Sequence, residues 1–267
     1  MNCVFDKVVN KMYKSFAPIT KLVALFLFLS FFHANAWGFT LDANRWHNFS
    51  GKLNNKVVYL TLFATDEGEL HGSYSDCDRK SKVILSGTVN GNQIKLKGNL
   101  KGKVFEEFEL KNISDSTDRL QGTRVDKNTN VKSAVSFRLG SMTAGKLEHR
   151  YSDFFGVDDD VEQFMGDIQT AVRTNDKVWI AKNVHYPLLV RIAPKKTLNI
   201  KNQNQFIQNY DKIFTPSYKN AVLKSCTCNL FFNYIGVMLG SGEIWIYQKE
   251  NSTEESYDFE IITINNW

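Results

Sequence analysis

The side chains with chemistry to offer are few and scattered. His185, Asp211 and Glu243 are the groups an acid–base site would recruit, because proton transfer needs a tuned pKa within reach of substrate. His185 stands two residues before Pro187, where a helix gives way to a strand. An imidazole there is also placed to satisfy the last carbonyls of that helix. Glu243 opens the apolar run Glu243-Ile-Trp-Ile246. Strand alternation sets Glu243 and Trp245 on one face, Ile244 and Ile246 on the other. On a concave face Glu243 would be a half-buried carboxylate with a raised pKa. On a convex face it and Trp245 would be surface or contact residues. Tyr186, Tyr210, Glu243 and Trp245 are the candidates for a pocket wall or an interface. The sequence has no Gly-x-Ser-x-Gly elbow, no His-Glu-x-x-His pair and no phosphate-cradling glycine loop. Gly240-Ser-Gly242 is too short for any of these and reads as a bulge.

Cysteine is the other reactive type. Cys3 falls in a leader-like segment, which leaves Cys77, Cys226 and Cys228 as disulfide candidates and one thiol over. Cys226-Thr-Cys228 reads as a strand entrance with both side chains on one face. A bridge between them would then sit near the upper limit of Cα spacing. A bridge from Cys77 to either one would staple the two halves of the chain. Three thiols without a paired histidine motif make a poor zinc site, so no metal and no cofactor are expected.

The elements that must position these groups begin after residue 36. Leu22–Phe32 is an apolar run of eleven, preceded by Lys14 and Lys21 and followed by His33-Ala-Asn-Ala36. That is the pattern of a cleavable export signal with cleavage near Ala36-Trp37. It is shorter than the ~20 residues that span a bilayer, so no stable membrane anchor is expected. An initiator at Met12 would leave a signal of ordinary length. Export to the periplasm, or secretion, makes a disulfide permissible.

The formal charge of +5 is concentrated in that leader. Beyond residue 36 stand 29 basic and 27 acidic residues, close to balance. Nucleic-acid binders usually carry a clustered basic face, so no nucleic-acid partner is expected.

Residues 37–140 repeat one plan. Short apolar or alternating segments such as Val57–Leu62, Val83–Val89 and Val131–Leu139 are separated by turn formers, among them Asn54-Asn55 and Asn90-Gly-Asn92. About eight strands at this spacing predict an antiparallel meander closed as a barrel or folded as a sandwich. Its recurring glycines, Gly72, Gly87 and Gly122, resemble those of small calycin-like barrels. Such a barrel is filled by its own side chains or holds a small apolar ligand in its mouth. Residues 141–156 read as a linker.

Residues 157–267 change period. Asp158-Asp-Asp160 suits a helix start, and Val161, Phe164, Ile168, Ala171 and Val172 follow at helical spacing. A short helix after Asn175-Asp176, two strands, a helix over Asn204–Phe214 and three further strands complete the α+β class. Asn175-Asp-Lys177, Tyr186-Pro-Leu188, Phe206-Ile-x-x-Tyr-Asp-x-Ile-Phe214 and Gly236-Val-Met-x-Gly-x-Gly-Glu-Ile-Trp245 carry a resemblance to the nuclear transport factor 2-like (cystatin-like roll) superfamily. The resemblance implies a cone-shaped sheet wrapped on a long helix, with a mouth that can be a pocket.

The reading that follows is an exported, non-catalytic binding protein of the bacterial envelope. Its expected partner is another envelope or exported protein, as for an inhibitor or an immunity protein against a periplasm-acting toxin. The alternative is a small-ligand carrier, or an enzyme that uses an Asp, His or Glu of the cone.

Overall fold

A computed structural model describes residues 41–77, 82–113, 118–151, 158–193, 196–250 and 258–266. The expected signal, its cleavage point and the end of the expected linker lie outside these residues. Among the described residues no helix is long and apolar enough to cross a membrane.

The first part is an eight-stranded antiparallel barrel. Strands β1 (Arg45–Leu53), β2 (Lys56–Ala64), β3 (Glu69–Ser75), β4 (Val83–Asn90), β5 (Gln93–Leu100), β6 (Lys103–Ile113), β7 (Arg119–Asp126) and β8 (Lys132–Ala144) pair in order, and β8 closes on β1. Two-residue hairpins need positive φ, and Asn54 and Asn55 supply 49° and 65° between β1 and β2. Gly72, Gly87 and Gly122 each stand opposite a leucine on a neighbouring strand: Leu62, Leu96 and Leu110. A Cβ at any of the three would run into a backbone carbonyl oxygen, of Thr61, Lys95 or Glu109. Only glycine permits strands to coil that closely, and closure depends on such coiling.

The barrel interior is packed rather than hollow. Leu60, Leu62, Leu70, Leu85, Ile94, Leu96 and Leu120 are buried around Phe108, which meets Tyr74 and Phe137 edge-on at 6.3 and 6.4 Å. A charged pair sits among them. Arg124 Nε donates to Glu106 Oε2, and Glu106 is wholly buried.

Strand β8 runs four residues past Gly140, into what reads as linker. Gly140 is the extra residue of a β-bulge, since Phe49 pairs with Leu139 and Asn48 with Ser141. The glycine marks a kink within the strand and not its end.

The second part is α+β. Helix α1 (Asp158–Thr174) buries Val161, Met165, Ile168, Ala171 and Val172, and its first turn is acidic. Phe164 is only partly buried and packs between Trp179 and Phe259. Short α2 (Lys177–Lys182) is capped by the Asp176 carboxylate, which accepts from Trp179 N–H at 2.9 Å. Strands β9 (Leu188–Ala193) and β10 (Lys196–Ile200) form a hairpin. Helix α3 (Gln203–Ile213) starts on Asn202, and α4 (Pro216–Lys224) on Thr215 with proline in its first turn. Strands β11 (Phe231–Asn233), β12 (Gly236–Leu239), β13 (Ile244–Gln248) and β14 (Phe259–Asn265) complete a six-stranded sheet of order β10-β9-β14-β13-β12-β11. Among the described strands, β9 and β14 alone pair in parallel.

Gly240-Ser-Gly242 is a reversing turn, not a bulge. Val237 pairs with Ile246 and Leu239 with Ile244, so the chain doubles back there. Gly240 at φ +65° and Gly242 at +113° adopt the left-handed backbone that the reversal requires. The helices cover one face of the sheet in a single apolar core that includes Phe206, Tyr210, Ile213, Ile244, Ile246 and Ile261.

Candidate functional site

Barrel and α+β part each have a core, and both belong to one compact unit. Between the cores lies a polar seam. Arg150 is 3% exposed and donates from Nη2 to Asn48 Oδ1 and to the carbonyl oxygen of Leu230, both at 2.8 Å. Its Nε donates to Thr61 Oγ1 at 3.3 Å. Asn229 Nδ2 donates to the Tyr59 carbonyl at 3.0 Å, and Asn229 Oδ1 accepts from Ser73 at 3.2 Å. Glu162 on α1 accepts from the Tyr151 hydroxyl at 2.7 Å and from Asn229 N–H at 2.9 Å, and pairs with Lys82 at 2.7 Å. Burial and the Glu162 carboxylate push the Tyr151 hydroxyl well above its ordinary pKa, so it stays a donor.

Beside this seam opens a cleft of about 780 Å³. Val57, Leu230, Phe231 and Met238 supply apolar wall, and Phe231 meets Trp245 edge-on at 6.3 Å just beyond it. Lys56, Asp76, Lys224 and Glu243 place both signs of charge around it. Lys56 Nζ and Asp76 Oδ2 are 4.0 Å apart. The Glu243 carboxylate folds back on its own turn and accepts from Ser241 N–H at 2.6 Å. The three cysteines among the described residues all line the cleft: Cys77 and Cys226 are bridged, and Cys228 is a thiol. Such a cleft offers shape, apolar contact and two signs of charge to a ligand.

Glu243 and Trp245 lie on the outer side of the sheet, because Ile244 and Ile246 are the residues buried in the core. Both are half-buried there. His185 and Asp211 stand elsewhere. The His185 ring is 55% exposed, with Nδ1 2.7 Å from Glu260 Oε1. Asp211 is 75% exposed and accepts from Lys177 Nζ at 2.8 Å, and that bond holds its carboxyl below the ordinary value. Glu243, His185 and Asp211 are thus engaged with three different partners.

The tyrosines are framework. Tyr186 donates to the Ala181 carbonyl at 2.8 Å, and burial pushes its hydroxyl up to about 12. Tyr210 stacks on Phe214 at 4.7 Å under two ammonium groups, of Lys177 and Lys219, each 5.1 Å from its ring centre. Its hydroxyl, also pushed up to about 12 by burial, has no hydrogen-bond partner among the described residues.

Sequence reasoning passes over Arg150, Asn229, Asn48 and Glu162. Arg150 lies in a segment that reads as linker, and nothing local distinguishes it from a solvated arginine. Asn229 at φ +50° leaves a trace only in its residue type, since asparagine tolerates that backbone. The Cys226-Thr-Cys228 segment is a bend and not a strand entrance, because pairing begins only at Phe231. The bend brings the sulfurs of Cys226 and Cys228 to 3.2 Å.

No family model matches the chain, and no curated protein matches it. Among solved structures, a crystal structure of a rhizavidin–biotin complex is similar over 39% of this chain and 97% of that one, at 13% identity and a TM-score of 0.28.

Proposed function

We propose that the protein is an exported, non-catalytic binding protein of the bacterial envelope, and that it seats a segment of another envelope protein in the cleft between its two parts. One observation carries the reading. The barrel and the α+β core are packed with their own side chains, while apolar wall and paired charges converge on the inter-part cleft. A polypeptide segment suits that surface, because it presents apolar side chains and charges a few ångströms apart. We read the α+β part as nuclear transport factor 2-like on the motifs it carries, and a 17-residue α1 sharing one core with a six-stranded sheet supports that reading. In this role the protein would act as an inhibitor or as an immunity protein against a periplasm-acting toxin.

Native mass spectrometry of the protein from its own envelope fraction tests this, alongside variants Val57→Asp and Lys224→Glu. Val57 is 48% exposed, so its change leaves the core intact. A retained protein partner that both variants lose supports the reading. A partner that the variants hold undiminished moves the interface off the cleft. A small adduct of defined mass in place of a protein would make the chain a ligand carrier.

A further inference from the structure

The seam is stapled by a disulfide that has a thiol beside it. Cys77, two residues past the end of β3, is bridged to Cys226, which follows α4, and the two are 149 residues apart in sequence. Cys228 Sγ lies 3.2 Å from Cys226 Sγ, closer than two unbonded sulfurs ordinarily sit and within reach of attack. The chain bends over residues 227–229 instead of running extended, so the geometric objection that a strand would raise to a local bridge does not apply. A third sulfur beside a closed bridge is more than a stray cysteine, because it has an electrophile in contact.

We propose that Cys228 is the nucleophile of an internal thiol–disulfide exchange that moves the bridge from Cys77–Cys226 to Cys226–Cys228. Cys228 gives up its proton, and its thiolate attacks Cys226 Sγ. A Cys228–Cys226 bond forms as the Cys226–Cys77 bond breaks, and Cys77 leaves as a thiolate that takes a proton. One disulfide and one thiol are present before and after, so no outside oxidant or reductant is needed.

The surroundings set the pace of this step. Burial raises the thiol of Cys228, and Glu162 on α1 opposes the thiolate. The Ser75 hydroxyl on β3, Lys82 before β4 and Arg150 favour it. Attack requires thiolate, whose share grows about tenfold per pH unit below the thiol's pKa. The exchange is therefore slow in mild acid and quickens as pH rises.

Its product differs from the starting form in one respect that matters for the cleft. The covalent staple between the two parts is gone, and a new thiol, Cys77, lines the cleft beside Asp76. The hydrogen bonds of Arg150 and Asn229 still join the parts. The cleft thereby has a stapled form and an unstapled form of the same oxidation state. This inference stands apart from the choice of partner.

Disulfide mapping of the full chain decides it. Trypsin leaves Cys226 and Cys228 together in residues 225–249 and Cys77 in residues 57–79. Protein kept at pH 5 is shifted to pH 8, sampled over hours into acid, unfolded there and labelled with a maleimide. The expected result is a growing fraction with label on Cys77 and an internal bridge in residues 225–249, growing about tenfold more slowly at pH 7. In Cys228→Ser that fraction stays at zero. In Cys77→Ser, oxidation closes Cys226–Cys228. Label on Cys228 alone at every time point overturns the proposal. So does a Cys77-labelled fraction that is present from the first sample and does not grow, since it would record oxidation during folding.

Discussion

Arg150 donates to the backbone carbonyl of Leu230 at 2.8 Å, so one side chain that trails the barrel holds the entrance to the edge strand of the α+β sheet. The same guanidinium grips Asn48 Oδ1 on β1 and Thr61 Oγ1 on β2. Its planar fork lets it serve an amide, a hydroxyl and a carbonyl at once, which an ammonium on a flexible stem does not reproduce. Hydrogen bonds from a charged donor contribute about 1.5–3 kcal/mol each, and removing the donor leaves buried acceptors unpaired. Arg150→Met is expected to lower unfolding free energy by about 3 kcal/mol in urea titration. Arg150→Lys should recover less than half of that loss. A variant as stable as the parent would show that the seam is held elsewhere.

The barrel was legible because its information is local. Alternation along each strand, Asn54-Asn55 and Gly91 in the turns, and glycines opposite leucines all lie within a hairpin. The first two helices of the second part were legible for the same reason, through Asp158 and Asp176 at their starts. The turn at Gly240 misled because a pair of glycines serves a bulge and a reversal equally, and only the pairing partner of Val237 distinguishes them. The seam was invisible, because Arg150 meets Asn48 across 102 positions and Asn229 meets Tyr59 across 170. No periodicity marks a residue whose role is set by a segment that far away. Cysteine is a partial exception: its scarcity singled out Cys77, Cys226 and Cys228 as candidates for a bridge, but which of them pair needed three dimensions.

His47 predicts a loss of stability in mild acid. It is wholly buried in the barrel, and Nε2 accepts from Asp42 N–H at 3.1 Å. Burial lowers its pKa below the ordinary 6.5. The folded protein therefore binds fewer protons here than the unfolded chain. The stabilisation from this site is complete above the unfolded pKa and is lost as pH falls from about 6.5 through the folded value. One such group gives a slope of at most about 1.4 kcal/mol per pH unit. Thermal unfolding between pH 5 and 7.5 should show that slope in the parent. His47→Gln, which keeps an acceptor but does not titrate, should flatten it. An unchanged slope in the variant would place the proton uptake on another group.

The staple predicts a large effect of reductant. A bridge closing a loop of 149 residues restricts the unfolded chain, and the chain-entropy relation puts that at about 5 kcal/mol. Cys77→Ser is expected to lower the urea midpoint by the corresponding amount. The parent protein in excess dithiothreitol should fall to the same midpoint. Cys228→Ser, which keeps the bridge, should unfold near the parent. Equal midpoints for parent and Cys77→Ser without reductant would mean that the bridge strains the folded protein by as much as it restricts the unfolded chain.

The charged pair inside the barrel yields the sharpest double substitution. Glu106 Oε2 accepts from Arg124 Nε, and Arg124 Nη2 reaches Asp126 Oδ2 at 3.4 Å toward the barrel rim. Glu106 Oε1 has no hydrogen-bond partner among the described residues, so the pair is not fully compensated where it lies. Taking two charges out of water costs several kcal/mol each, and their attraction offsets this only with good geometry. Arg124→Met alone strands a buried carboxylate and should cost about 3–5 kcal/mol. Adding Glu106→Leu removes that charge and fills the space beside Gly98 with methyl groups. The double variant is expected to recover most of the loss and to unfold within about 1 kcal/mol of the parent, on the side of greater or lesser stability. Guanidinium titrations of parent, both single variants and the double variant measure the coupling directly. A double variant as unstable as Arg124→Met would mean that the ion pair sets the barrel's register, and that the apolar filling cannot replace it.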